Sequence, residues 1–280
     1  MRFHKIVILA LTLPALSLVA PAGCAGGYIL TAPDQIAPAG GEAVAVVRLQ
    51  RAEIMMLALP VDSALIWFRP AGDEKGKAAY TDKLGYAGTT VPVPGGVGRH
   101  GFRVFHMDKE GDEVYQEVPL YVWEANRPAI AVDLDSLPPA WQKDESAAAR
   151  KGLERLARDR NICYMTRRPV SSHQAAHQGL EQGGYPDGPV LLWQQERWHV
   201  VREGQWGVPR VVVESRLVNQ LPLIRKMLPG LDAGVTDSSA AARTVAEAGM
   251  RAVVIGGASA NAGSVTRLAG WKDLTTSPLP

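Results

Sequence analysis

Cysteine and phenylalanine are scarce in this 280-residue chain. It contains two cysteines, Cys24 and Cys163, and four phenylalanines. Cys24 lies at the end of an N-terminal segment that we interpret below as a signal, so that it is either removed or acylated. Cys163 then has no intramolecular disulfide partner, which excludes a disulfide-held fold. We expect Cys163, in the apolar run 162–165, to be a small buried core residue.

Excess charge and long apolar runs are also rare. The formal net charge is +2, and no cluster of Lys and Arg is dense enough to indicate nucleic-acid binding. After residue 20 no apolar run approaches the ~20 residues that a membrane-spanning helix needs. With 46% hydrophobic and 21% charged residues, the composition is typical of a folded globular protein.

The N-terminus has the pattern of a secretory signal, which we place at 1–23. A basic start at 1–5 precedes an apolar run at 6–20, and small residues follow before Cys24. Small residues directly before a cysteine resemble a bacterial lipoprotein box, in which the cysteine is acylated and anchors the protein to a membrane. Pro21 departs from the usual Leu, so ordinary cleavage after Ala22 remains the alternative. Both predict an exported protein, either periplasmic or a membrane-anchored lipoprotein of a bacterial cell envelope.

Residues 27–124 have the pattern of an all-β domain. Short apolar or alternating runs are separated by Gly, Pro and Asp turn signals, and they predict strands at 43–49, 64–68, 89–93, 101–105 and 118–123. This pattern favours a β-sandwich. The segments 60–68, 81–87 and 98–105 resemble bacterial immunoglobulin-like domains. The resemblance implies a domain that binds another molecule or braces a neighbouring domain. One such role is the binding of a protein partner.

The spacing of the apolar residues changes after a linker at 125–128, which ends in a proline. Strands are predicted at 129–133, 161–166, 189–193, 231–236 and 252–255, with helices at 146–158, 171–182, 215–228 and 238–248. Strands that alternate with helices predict a parallel, doubly wound sheet. Ligands of such sheets bind at the carboxyl ends of the strands.

Acids and hydroxyls follow three of these predicted strands. Asp133 and Asp135 end the first, Thr166 ends the second, and Asp237 follows the fourth. A carboxylate can attack phosphorus, a second can act as acid and base, and paired acids can bind Mg²⁺. Thr166 precedes a helix start, which is an arrangement that holds phosphate. Taken singly, Asp133 and Asp135 are better explained as a solvated pair at a strand end, and Asp237 as a helix N-cap.

The order Asp-x-Asp, Thr, Asp resembles the HAD superfamily. The stretch Tyr164-Met165-Thr166-Arg167-Arg168-Pro169, together with 184–192, is similar to the "YLTARP … G.P.GPV.L" stretch of lipin-type phosphatidate phosphatases and of the carboxy-terminal domain of phosphatidylinositol-transfer-like proteins. The resemblance covers about 129–260. It implies two domains: an all-β immunoglobulin-like sandwich at 27–124, and an α/β HAD-like (Rossmannoid) parallel sheet with a minimal cap at 129–275.

The resemblance also implies roles for individual residues. Asp133 corresponds to the nucleophile and Asp135 to the acid/base; Thr166 and Arg216 correspond to phosphate-binding residues; and Asp133, Asp135 and Asp237 correspond to Mg²⁺ ligands. It therefore implies a Mg²⁺-dependent phosphatase that forms an aspartyl-phosphate. The substrate would be a phosphorylated small molecule or lipid.

Three departures from the family weaken the expectation of activity. Ser136-Leu137 stands where the family has Gly-Thr, Arg216 replaces a Lys, and Ala241 stands near the family's second acid of the last motif. Arg keeps the charge of Lys but not its compact contact. The alternative is a catalytically impaired HAD-like and immunoglobulin-like binding protein of the cell envelope.

A further pair, His173 and His177, stands four residues apart on a predicted helix. That spacing can bind a metal ion. The alternative is a pair of histidines on a helix surface, and the intervening residues offer no Glu that could act as a base.

Overall fold

The computed structural model describes residues 27–52, 58–70, 75–168, 172–203, 208–256 and 264–276. The predicted signal at 1–23 and the lipidation site Cys24 lie outside the described residues. In the described part of the chain, no helix is both long enough and apolar enough to cross a membrane.

The first nine strands form two sheets. Their bounds are β1 Tyr28–Thr31, β2 Gln35–Pro38, β3 Glu42–Ala52, β4 Ala58–Pro60, β5 Leu65–Pro70, β6 Lys77–Tyr80, β7 Tyr86–Pro92, β8 Gly98–Met107 and β9 Glu113–Trp123. One sheet has the order β1-β3-β4, with β7 also paired to β3, and the other has the order β2-β9-β8-β5-β6. All pairs are antiparallel except β2 with β9. The shared core includes Leu49, Ile66 and Phe68, which are fully buried.

The remaining strands alternate with helices. Their bounds are β10 Ala129–Asp133, α1 Lys143–Ala157, β11 Asn161–Thr166, α2 His173–Gln182, β12 Val190–Leu192, β13 Gln194–Glu203, β14 Val208–Asn219, α3 Leu221–Met227, β15 Leu231–Thr236, α4 Ser239–Glu247, β16 Arg251–Ile255 and β17 Val265–Leu268. Six of these strands form a parallel sheet of order β12-β11-β10-β15-β16-β17, and β13 and β14 form a separate antiparallel ribbon. Short 3-10 helices lie at Leu134–Ser136 and Trp271–Thr275.

The parallel sheet is covered on both faces. Every residue of β10 is buried, as expected for a central strand with apolar layers on either side. One apolar cluster contains Ala131 and Met165, and the other contains Ile130 and Tyr164. Because β10 pairs in parallel with both β11 and β15, the ends of these three strands meet at one edge of the sheet.

The fold class predicted from the sequence is wrong. An immunoglobulin-like sandwich followed by a HAD-like α/β sheet with a minimal cap was expected. Strand residues instead clearly outnumber helical ones, they are divided among several sheets, and no clear HAD-like Rossmannoid arrangement emerges. Part of the error lies at 215–228, predicted as one helix, where β14 continues to Asn219 and α3 covers only Leu221–Met227. The run of three valines at 211–213 favours strand, since β-branched side chains pack well on a pleated surface.

The two sets of sheets share a core and a largely buried hydrogen-bonding contact. Ile36, Tyr121 and Trp123 of the first nine strands belong to the same apolar cluster as Met165 and Leu221. Asp34, between β1 and β2, is 5% exposed. Its Oδ2 lies 2.7 Å from Nε2 of His177 in α2 and accepts a 2.6 Å hydrogen bond from the Val190 amide. Asp34 therefore ties the first sheets to both α2 and β12.

Candidate functional site

Asp133 is a fully buried carboxylate at the end of β10. Its exposure is 0%, so the cost of removing its charge from water has to be offset by donors. The Thr236 hydroxyl donates to Oδ2 at 2.7 Å, and the Asp135 amide donates to Oδ1 at 3.2 Å. The indole N–H of Trp193 makes a longer contact of 3.4 Å with Oδ1. Asp133 is held in one orientation by contacts to both oxygens.

Asp135 lies in the 3-10 helix directly after β10 and faces the end of β11. The Thr166 hydroxyl donates to its two carboxylate oxygens at 3.1 and 3.2 Å, and the Arg167 amide donates to Oδ2 at 2.8 Å. The structure thus places Asp135 and Thr166 together, as the sequence predicted for two strand ends. The Thr166 hydroxyl, predicted to hold phosphate, is directed at the Asp135 carboxylate.

Two arginines lie over the two acids. Nη1 of Arg167 is 3.4 Å from Asp133 Oδ2 and 3.9 Å from Asp135 Oδ2, and Nε of Arg168 is 3.2 Å from Asp135 Oδ1. The Arg167 guanidinium also lies 5.5 Å from the Trp193 ring centroid, a cation–π distance. Arg167 is 49% exposed, whereas Thr236 and Trp193 are buried. Among the described contacts of Asp133, Arg167 and Asp135 are therefore the ones that reach solvent.

Asp237 joins the site through hydroxyl groups. Ser136 donates to Asp237 Oδ1 at 2.6 Å, and its oxygen accepts from the Asp237 amide at 3.0 Å. The Ser136 oxygen also lies 3.4 Å from the Thr236 oxygen, whose proton is committed to Asp133. Asp237 does not cap α4; Ser238 does, accepting from the Ala241 amide at 3.3 Å. The explanation of Asp237 as an N-cap is wrong, and its carboxylate faces the strand ends.

The side chains at this edge have the donor chemistry that Mg²⁺ prefers, since they are carboxylates and hydroxyls. Asp133 and Asp237 lie at opposite ends of the chain formed by the hydroxyls of Thr236 and Ser136. Over the described residues, no group of three or more His, Cys, Asp or Glu side chains is arranged to hold a metal ion. Mg²⁺ is often held by one or two carboxylates with water and substrate phosphate completing the shell. Asp133 and Asp237 offer carboxylates of this kind with two hydroxyls between them, while Asp135 is directed toward Thr166 and the arginines.

Arg216, predicted to clamp phosphate from the start of a helix, has its backbone inside strand β14. The predicted helix start is therefore absent at that position. Ser136, Thr236 and Trp193 reach the site but were not among the predicted site residues. The position of Thr236 at the end of a predicted strand, directly before Asp237, was a signal that could have identified it. Trp193 similarly ends the predicted strand 189–193.

His173 and His177 do not form a helix-surface pair. His177 contacts Asp34, and His173 is 5% exposed, with neither ring nitrogen hydrogen-bonded within the described part of the chain. Burial lowers the pKa of His173 below its usual value; His177 lowers it further, and Asp34 opposes the shift. Burial likewise raises the pKa of the Cys163 thiol to about 12, as expected for an inert core residue.

Comparison with known proteins identifies no family. No family model matches the chain, and no curated protein matches it. Among solved structures, the D0-D1 domain of intimin is 21% identical, with 33% of this chain and 46% of that chain covered and a TM-score of 0.24. A carbohydrate acetylesterase from Xanthomonas citri is 10% identical, with 88% and 73% covered and a TM-score of 0.34. This chain thus spans less than half the length of the intimin structure, and likenesses of this strength carry no argument about function.

Proposed function

We propose that this protein is an exported, Mg²⁺-dependent phosphohydrolase that acts on a phosphomonoester of a small molecule or lipid. The observation that carries the proposal is the meeting of Asp133 and Asp135 beneath Arg167, with Asp237 beside them. A fixed carboxylate, a second acid and a cation at one point are the groups that phosphoryl transfer to an aspartate requires. The resemblance of Asp133, Asp135 and Thr166 to the lipin-type motifs supports the same activity.

In this proposal Arg167 and Arg168 turn from the carboxylates to the phosphate oxygens of the substrate. A carboxylate oxygen of Asp133 attacks phosphorus, the bond from phosphorus to the leaving oxygen breaks, and Asp135 donates a proton to that oxygen. Asp135 then removes a proton from water, which attacks the aspartyl-phosphate; inorganic phosphate leaves and Asp133 is regenerated. Mg²⁺ held by Asp133 and Asp237 would neutralise phosphate charge.

The experiment measures phosphate release by the purified chain from phenyl phosphate and from phosphatidate in detergent micelles, with Mg²⁺ and with EDTA. We expect turnover that needs Mg²⁺ and is abolished in Asp133→Asn. Asp159→Asn, an exposed aspartate beyond α1, is the matched control and should retain full activity. Calorimetric titration of Mg²⁺ into the wild type and Asp237→Asn tests the metal site without relying on turnover.

A second candidate is a catalytically impaired binding protein of the cell envelope. It is favoured by the complete burial of Asp133, whose two oxygens already receive donors from Thr236 and Asp135. An enzyme has to expose that carboxylate by moving Arg167. Phosphate binding by calorimetry without turnover on either substrate would favour this candidate over the phosphohydrolase.

A further inference from the structure

A cleft opens beside the candidate site, on the side of α1 and α2. Its walls come from the segment after β10 (134–140), from the first half of α1, and from α2 with the turn that follows it. Its volume is ≈ 470 Å³, within the range of small-molecule sites. Arg168 lines the cleft and also contacts Asp135 at 3.2 Å. The cleft therefore adjoins the acid pair, where the organic part of a substrate would extend.

The charged residues that line the cleft all have the same sign. Lys143, Arg150 and Arg168 are cations, and no Asp or Glu lines the cleft among the described residues. Arg168 pairs with Asp135, and Arg150 lies 3.8 Å from Glu154 in an exposed pair, which screening makes weak. Lys143 has no ion pair with any residue that the structure describes. The charged groups that line the cleft are thus all positive.

The rest of the lining is apolar. Leu134, Leu137, Pro138 and Leu180 contribute to the walls, and Tyr185 lines the cleft as well. The Tyr185 hydroxyl is buried, and the Ser146 hydroxyl, which also lines the cleft, interacts with it. A bound anion would accept from Tyr185 in place of this contact.

We infer that this cleft binds the organic part of the substrate, and that this part has an apolar body and carries a carboxylate. The phosphate end of this assignment rests on the proposed function. The carboxylate would lie near Lys143 and Arg150 and accept from Tyr185, while the apolar body contacts the leucines. A leaving group without a negative charge would leave Lys143 without a counter-charge among the described residues, since Arg150 already pairs with Glu154.

The experiment compares 4-carboxyphenyl phosphate with phenyl phosphate, which differ in the carboxylate alone. Hydrolysis of each is measured with the wild type, and binding of each is measured by calorimetry with Asp133→Asn, which should not consume the ligand. We expect the carboxylate to improve kcat/KM and affinity by about tenfold. Lys143→Met should reduce this preference about three- to fivefold, and Lys143→Met with Arg150→Gln should remove it. Lys151→Met, an exposed lysine of α1 outside the cleft, is the control and should leave the preference intact.

The two measurements separate failure of the inference from failure of the proposed function. A binding preference for the carboxylate that depends on Lys143, without any turnover, supports the cleft and contradicts the phosphohydrolase. Equal turnover and equal binding of the two compounds overturns the cleft and leaves the phosphohydrolase standing. If neither compound binds, the assignment of the cleft as the substrate site is overturned. A preference for the carboxylate that Lys143→Met leaves unchanged also overturns it.

Discussion

The Thr236 hydroxyl donates a 2.7 Å hydrogen bond to Oδ2 of Asp133, and both residues are 0% exposed. The bond joins the ends of two neighbouring parallel strands, β10 and β15. The same hydroxyl oxygen accepts from the Ser238 amide at 3.0 Å, where α4 begins. One threonine thus fixes both the candidate nucleophile and the start of the helix that follows Asp237.

Thr236→Val should destabilise the protein by about 1–3 kcal/mol, because it leaves the buried Asp133 carboxylate and the Ser238 amide short of a partner at nearly unchanged side-chain volume. Urea unfolding measures this loss. The control is Thr244→Val on α4, where the hydroxyl bonds the Ala240 carbonyl on an exposed surface and the change should stay within about 0.5 kcal/mol. Equal losses in the two variants would contradict a special role for Thr236.

The contact between Arg167 and Asp133 should appear as an energetic coupling. Because Arg167 is 49% exposed and the distance is 3.4 Å, solvent weakens the pair, and we expect about 0.5–1 kcal/mol. A double-mutant cycle of Arg167→Gln with Asp133→Asn, read by urea unfolding, measures it. Arg158→Gln, at the exposed end of α1, should show no coupling to Asp133→Asn. Additivity in the Arg167 cycle would mean that the contact contributes nothing to stability.

His173 should make the protein less stable in acid. Burial holds its pKa below the usual value, so at a pH just below that value the unfolded chain binds a proton that the folded chain does not. The contribution of His173 to the free energy of unfolding is fully present above the ordinary pKa of His, about 6.5. It is lost as the pH falls from there through the pKa that His173 has in the folded protein. Besides burial, which causes the shift, Asp34 opposes it and His177 adds to it.

The measurement is the free energy of unfolding between pH 5 and pH 8 in the wild type and in His173→Leu. Leucine cannot take up a proton, and it breaks no hydrogen bond because neither ring nitrogen of His173 makes one in the described structure. The decline in the free energy of unfolding below pH 6.5 should therefore be shallower in this variant. The control is His100→Gln in β8, a partly exposed histidine beside the Gly96 carbonyl, which should decline like the wild type. An unchanged slope in His173→Leu would show that another group causes the loss.

Asp34→Ala should loosen the contact between the first sheets and β12. It removes the acceptor of the Val190 amide and the partner of His177, and a buried donor without a partner is costly. Hydrogen exchange of a peptide covering 187–193 should become faster than in the wild type. Asp62→Ala, at an exposed position before β5, should leave that exchange unchanged. If Asp34→Ala also leaves it unchanged, the pair does not hold β12 in place.

The local patterns of the sequence predicted the strands that carry the site. Asn161–Thr166 and Leu231–Thr236 have the predicted bounds, because buried central strands are short, apolar and bounded by turn signals. The proximity of these strand ends followed, since parallel strand ends meet at one edge, but the bond from Thr166 to Asp135 did not, because the Thr166 hydroxyl was predicted to bind phosphate. The ribbon β13–β14 was not predicted from the sequence. Its segment mixes β-branched residues with apolar residues at a spacing that also suits a helix.

Contacts made between distant parts of the chain were not predictable. Asp34 meets His177 across 143 positions, and no local pattern identifies such a partner. Gly188 is a similar case: a Cβ there would lie 2.1 Å from the Ile162 carbonyl oxygen. The sequence showed a Gly between Asp187 and Pro189, but only the packing of this stretch against β11 explains why a larger residue would not fit.

The core that joins Ile36, Tyr121 and Trp123 to Met165 and Leu221 has a consequence for how the molecule loses its structure. A division of the chain at 125–128 separates residues that protect one another from water, and it also separates Asp34 from His177. Each half alone would expose part of a shared interior. We therefore expect the two halves to unfold together, in one calorimetric transition rather than two.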